Sequence, residues 1–267
     1  MNHRQCDISA STQGELGTLA TLPRPVYGHV LGINNRAIGF PHSHAWAQFS
    51  YATEGVLEVR TASGRFIAPP LRGVWIPVGT EHSVYCSAYA QLRSLYVDPS
   101  AISFSWPECK TLTVSPLLRE LIREFSEMPV EYDEQGSQGR LVSVLLDQIG
   151  LAAEAGLSLP WPRDVRLQAI CDDIQEHPEN RHTLIEFSQR LHLCERTLSR
   201  LFMQQTGMSF RQWRQRSRLL FSLSLLAKGE RVTDVAIACG YESMSAFIVA
   251  FKEQMGVTPK ELFPTHG

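Results

Sequence analysis

The chain has 267 residues, of which 43% are hydrophobic and 19% charged, with a formal net charge of −2. This composition suits ordinary folded domains, roughly two of them at about 150 residues each, and excludes a disordered tail or a fibrous protein. No apolar run of about 18 residues offers a membrane span, the first residues lack the apolar core of a signal peptide, and the near-neutral charge neither advertises nor forbids a nucleic-acid partner.

The expected location is therefore the cytoplasm. Six scattered cysteines (Cys6, Cys86, Cys109, Cys171, Cys194 and Cys239) form no CxxC pair, which fits reduced thiols there.

Residues 1–24 carry no periodic signal and are expected to be flexible. From residue 25 to 114 short runs rich in Val, Ile, Tyr and Trp predict strands: VYGHVLGI, WAQFSYATE, GVLEVRT, GVWIPV and QLRSLYV. Many short strands at close spacing argue for a barrel or sandwich. Between 115 and 155 the period changes to that of helices. Leu118, Leu121, Ile122 and Phe125 form one stripe, with Ser115 as its cap and Pro116 at the first position; a second stripe runs from Ser137 to Ala155. These helices are expected to cover the barrel or to pair two copies. Residues 156–163, with a glycine and two prolines, predict a linker.

From 164 to 267 the pattern is helical throughout, with segments near 164–176, 183–191, 195–205, 209–227, 232–239, 243–255 and 259–263. Residues 163–267 carry 14 Lys and Arg against 12 Asp and Glu, and Arg211, Arg214, Arg216 and Arg218 are their most basic stretch, a weak sign of an anionic partner. The informative feature is a repeat. LSRLFMQQTGMSF and FIVAFKEQMGVTP align with Phe202 on Phe251, Gly207 on Gly256 and Ser209 on Thr258, each pair 49 residues apart. Before each lies a short helix and a tight turn, so the chain holds two helix-turn-helix units. Leu198, Leu201 and Phe202 form the inner face of the first second-helix, and Phe247, Ile248 and Phe251 that of the other. The outward positions are Glu195, Arg196, Thr197, Ser199 and Arg200, then Glu242, Ser243, Met244, Ser245, Ala246 and Val249. Arginine grips guanine bidentately, and small or apolar side chains touch thymine methyls. Two such helices fit successive major grooves about 34 Å apart.

At these residues the stretch from Thr183 to Phe263 resembles the DNA-binding domain of AraC/XylS-type transcription regulators. IACGYESMSAFIVAFKEQMGVTPKEL carries the most specific part of that pattern. The resemblance implies about seven helices, with Arg196, Thr197 and Arg200 on the first recognition helix and Met244, Ser245 and Ala246 on the second. Cys194 stands where a Ser cap is usual, and Val249 where some relatives have Arg, so the first unit is expected to carry more of the specificity. The resemblance also implies homodimers, contact with RNA polymerase if the protein activates, and target genes for transport or resistance.

The N-terminal half holds PHSHAWAQ and IPVGTEHS. On a strand His42, His44 and Gln48 share one face, because side chains alternate, and His82 from a neighbouring strand would close a cluster. Three imidazoles and an amide oxygen suit zinc, nickel or iron. The spacing resembles the two cupin motifs, with Gln48 in place of the usual Glu and Cys86 where Asn is common. The Gln removes an anionic ligand, so a metal or effector site and a satisfied hydrogen-bonding cluster both stand. Trp46, Phe49, Tyr51 and Trp75 are pocket candidates, although strand aromatics also fill cores. His177, His182 and His192 are expected at surface or cap positions.

The expected fold is α+β, a cupin-like barrel with covering helices followed by an all-α domain with two helix-turn-helix units. The expected function is a regulator of double-stranded promoter DNA that responds to a small-molecule effector held by His42, His44, Gln48, His82, Trp46 and Trp75, with a divalent metal on the first four. Two alternatives are a metal-dependent cupin enzyme with a helical appendage, and a DNA-binding regulator whose barrel only dimerises.

Overall fold

The computed structural model describes residues 21–28, 39–87 and 90–264. The expected N-terminal tail therefore lies outside the described residues up to residue 20, as do Cys6 and the first strand's continuation past Gly28. The chain forms two compact units: Met1–Thr61 with Phe66–Ser158, and Ala62–Arg65 with Leu159–Gly267.

Nine strands are present among the described residues: β1 (Val26–Tyr27), β2 (Ala47–Ala52), β3 (Leu57–Thr61), β4 (Gly64–Ala68), β5 (Arg72–Ile76), β6 (His82–Cys86), β7 (Leu92–Val97), β8 (Lys110–Thr113) and β9 (Ser158–Pro160). They make a five-stranded sheet of order β1-β7-β2-β5-β8 and a four-stranded sheet of order β6-β3-β4-β9. All six residues of β2 are buried, so both faces of this strand are covered. Phe49 and Tyr51 point to one face with Trp75, Leu95 and Val97. Ala52 points to the other with Val74, Ile76 and Leu92. Opposite faces for successive residues follow from the pleat.

Helices α1 (Pro116–Glu127) and α2 (Ser137–Gly150) cover the first face, burying Leu118, Ile122, Phe125, Val142, Leu145, Leu146 and Ile149 against it. Ser115 Oγ accepts from Leu118 N, with Pro116 at the first position, which is the start expected for α1. The second helix ends at Gly150 rather than Ala155. The chain beyond is claimed by β8, where Thr113 N donates to Ala153 O and Ala155 N to Thr111 O. The expected linker is likewise drawn into a sheet: Leu157 and Leu159 are buried, and Ile67 N donates to Leu157 O.

The second unit contains α3 (Val165–Glu176), α4 (Leu184–Arg190), α5 (Glu195–Thr206), α6 (Phe210–Ala227), α7 (Val232–Ala238), α8 (Met244–Met255) and α9 (Pro259–Leu262). The repeat seen in the sequence is carried by caps. Helices α5 and α8 have 12 residues each and end at left-handed Gly207 and Gly256. Ser209 and Thr258 then start the next helices with capping boxes, paired to Gln212 and Glu261. Leu198, Phe202, Phe247 and Phe251 are buried at equivalent positions.

The two tight turns use the same backbone with different residues. His192 (φ 52°) makes the first and Gly240 (φ 72°) the second. At Gly240 a Cβ would meet Arg218 Nη2 at 2.7 Å and Pro178 O at 3.0 Å. Gly240→Ala is therefore expected to cost about 1–2 kcal/mol or more, because left-handed strain adds to the clash. His192→Gly should move stability the other way by under about 1 kcal/mol, relief of strain being partly offset by glycine entropy. Denaturant unfolding of the two variants checks both signs.

Candidate functional site

In the N-terminal unit His42 and His44 lie on the approach to β2 rather than on a regular strand. His42 makes a single bridge to His82, exchanging both backbone hydrogen bonds with it, and His44 O accepts from Gly79 N. Strand alternation is thus not what aligns the two rings. The cross-chain bridge and the turn before β6 do that. One ligand nitrogen from each of His42, His44 and His82 lies within 4.8 Å of the others.

The outer nitrogens are all engaged. Nδ1 of His42 donates to Phe40 O at 3.1 Å, that of His44 to Trp46 O at 2.7 Å, and that of His82 to Thr80 O at 2.8 Å. A carbonyl only accepts, so each Nδ1 carries the hydrogen and each Nε2 of a neutral ring keeps its lone pair. Burial lowers all three pKa values, His82 to about 3, so the rings are neutral near pH 7. This is the arrangement by which proteins orient histidines toward a metal. Gln48, on β2, places Oε1 2.9 Å from His44 Nε2 and 3.1 Å from His82 Nε2. Its Nε2 donates to Ser50 Oγ at 2.8 Å and Ser94 Oγ at 3.4 Å. Three nitrogen lone pairs and an amide oxygen fit a borderline divalent ion such as zinc, nickel or iron.

Trp46 stacks on His44 with ring centroids 5.6 Å apart, and its buried Nε1 has no hydrogen-bond partner among the described residues. Trp75 does not join this cluster. The pairing of Phe49 with Trp75 and of Gln48 with Ile76 puts Trp75 on the helix-covered face, against Phe104 and Trp106. Phe49 and Tyr51 share that face and are core. Ser50 and Ser94 escaped sequence reading. Ser50 was findable by its parity with Gln48, whereas Ser94 needed the β2–β7 register.

In the C-terminal unit α5 exposes Glu195, Arg196, Ser199 and Arg200, with Thr197 half-buried beside the Cys194 thiol at 3.0 Å. Met203 and Gln204, not singled out in the sequence, extend this exposed face by one turn. Ser243, Met244, Ser245, Ala246 and Val249 are exposed on α8, although the Ser243 hydroxyl is taken by its cap to Ala246 N. The arginine run on α6 is partly spent inside the unit. Arg218 donates to Pro178 O, Asn180 O and Gly240 O, and Arg214 to His182 O. Arg218 thus ties the loop after α3 to the turn between α7 and α8, and Arg214 ties α6 to the residues just before α4.

Two family models match the chain: an AraC-like ligand binding domain over residues 26–153 and a helix-turn-helix domain over residues 187–264. The HTH-type transcriptional regulator NimR of Escherichia coli (strain K12) is 34% identical over 218 residues, covering 82% of this chain and 80% of NimR. The chain belongs to the AraC-type family of transcription regulators. It is a DNA-binding regulator with a ligand-binding domain, so the enzyme alternative is set aside. The HTH-type transcriptional activator RhaR of Yersinia pestis bv. Antiqua (strain Angola) is 29% identical over 149 residues, or 54% of this chain and 51% of RhaR. The crystal structure of ToxT from Vibrio cholerae O395 aligns over 90% of this chain and 97% of its own at 14% identity, with a TM-score of 0.39. No helix among the described residues of this AraC-type chain is long and apolar enough to cross a membrane.

Proposed function

We propose that this regulator reads promoter DNA with the exposed faces of α5 and α8, and that its N-terminal unit senses a small effector at a divalent metal held by His42, His44, His82 and Gln48. The observation that carries the metal reading is the tautomer argument. All three imidazoles give their Nδ1 hydrogens to backbone carbonyls, leaving each ring an Nε2 lone pair, and one ring nitrogen of each lies within 4.8 Å of those of the other two. A bound metal supplies Lewis acidity for a ligand with an oxygen or nitrogen donor. Trp46, stacked on His44, is the neighbouring aromatic surface for such a ligand.

Arg196 and Arg200 are the base-reading candidates on α5, helped by Glu195, Thr197 and Ser199; Met244, Ser245 and Ala246 play that part on α8, while the α8 N-terminus at Ser243 meets phosphate. The regulator acts on DNA as a homodimer in the cytoplasm in this reading, with exposed Leu117 on α1 and Val144 on α2 as apolar side chains open to a second copy. An effector changes DNA binding only if it binds two states of the protein unequally.

Selection from a pool of random duplexes tests this reading. It should recover two base-specified blocks about 10 base pairs apart. Equal retention of scrambled duplexes would reject it. Metal analysis of the purified chain, with the triple variant of His42, His44 and His82 to Ala as control, tests the metal half: close to one zinc, nickel or iron per chain is expected, and lost in the variant.

A further inference from the structure

The Gln48 amide stands in a conflict that has two solutions. Its carbonyl oxygen lies at hydrogen-bond distance from two imidazole nitrogens, His44 Nε2 at 2.9 Å and His82 Nε2 at 3.1 Å. Both rings have already committed their one hydrogen to a backbone carbonyl, Trp46 O and Thr80 O. Acceptor therefore faces acceptor twice, around a glutamine 2% exposed and a histidine 1% exposed. Buried polar atoms opposed in this way are costly. A cation among the lone pairs removes the conflict. So does half a turn of the amide, which presents two N–H hydrogens to two lone pairs, one for each.

The other end of the amide accepts either solution. Ser50 Oγ and Ser94 Oγ lie beside the amide nitrogen and 3.2 Å from each other. A hydroxyl both donates and accepts. The pair accepts from the amide nitrogen in one orientation and donates to the carbonyl oxygen in the other. No backbone movement is needed, because oxygen and nitrogen exchange places by rotation about the last side-chain bond.

We propose that Gln48 is a two-position switch: its oxygen faces the histidines when a divalent cation is bound, and its nitrogen faces them when none is. The first position rests on the metal reading given above; the second does not. An ionised glutamate cannot donate, and even a protonated one offers a single hydrogen to two lone pairs, so it satisfies only the first. The amide is what lets this unit release its metal and stay satisfied, as a reversible sensor must and a resident metal centre need not. Gln48 acts here as a positioning and selectivity residue, with Ser50 and Ser94 as the partners that make both positions possible.

The test uses the full chain labelled with 15N, stripped with chelator and then titrated with zinc. The Gln48 side-chain NH2 signal is assigned by its loss in Gln48→Glu. Hydrogen-bond couplings from that NH2 group to His44 Nε2 and His82 Nε2 are expected in the stripped protein and should vanish as zinc binds. Zinc binding with an unchanged NH2 signal would overturn the switch and leave the metal site standing. Failure to bind zinc, and likewise nickel and ferrous iron in the same titration, with the couplings present throughout, would overturn both, because the cation-bound position would not exist. In parallel, Gln48→Glu should bind zinc tighter by about tenfold or more, as an anionic ligand replaces a neutral one. Its stripped form should melt below stripped wild type, and equal melting of the two would count against the switch.

Discussion

Replacing Arg196 and Arg200 together by Ala lowers affinity for the selected duplex by roughly 30-fold to 20,000-fold, at about 1–3 kcal/mol for each bidentate base pairing lost. The size follows from what the two side chains are free to do. Both are exposed on α5, one turn apart, and neither is tied to another group of the protein among the described residues. Arg214 and Arg218 on α6, by contrast, are engaged by backbone carbonyls. On α8 the position equivalent to Arg200 is Val249 and that equivalent to Arg196 is Ser245, so the same double replacement there should cost much less. Competition of the variant between selected and scrambled duplexes decides what the arginines do. A loss confined to the selected duplex identifies base readers. An equal loss on both identifies phosphate grips, which shift affinity without sequence.

The helical unit was legible because its signals are local. Each helix shows its own stripe, and Ser209, Gly207, Thr258 and Gly256 mark boundaries through hydrogen bonds that span only a few residues. The seven segments read from the sequence match α3 to α9 to within a residue or two. The strand unit was less legible. β4, β6 and β8 were not read as strands, because none offers a clean apolar–polar alternation: RFIA and VYC are short, and β8 is KTLT. Trp75 shows the same limit. Its parity within β5 is visible in sequence, but its face relative to Gln48 depends on the β2–β5 register, which only pairing reveals. The histidine cluster was found by motif, yet for an incomplete reason. His42 and His44 converge through a bridge to His82 and not through alternation along one strand. The basic run on α6 points to an anionic partner for this half, as the helix-turn-helix family match bears out, but composition does not show that backbone carbonyls have claimed Arg214 and Arg218.

Phe202→Ala should cost the C-terminal unit about 3–5 kcal/mol, the range for emptying a fully buried aromatic site. Phe202 is wholly buried and meets Phe210 and Trp213 edge-on, each with ring centroids 5.8 Å away. Those two residues belong to α6, the long helix between the two helix-turn-helix units, so the cavity opens where the first reading helix is seated. Phe251 is equally buried, but among the described rings it meets only Phe247, at 5.6 Å. Its replacement should fall at the lower end of the same range. A domain of this size has about 5–15 kcal/mol of stability in all, so the loss lowers its melting midpoint by on the order of 10–20 °C. The N-terminal unit builds its core from other residues, around Phe49, Trp75 and Leu145. Zinc binding by Phe202→Ala should therefore match wild type at temperatures where DNA binding has already failed. Calorimetry with parallel zinc and duplex titrations reads both properties on one sample. Loss of zinc binding together with loss of DNA binding would mean that the two units do not fold independently, and the ascription of each function to its own core would fall with it.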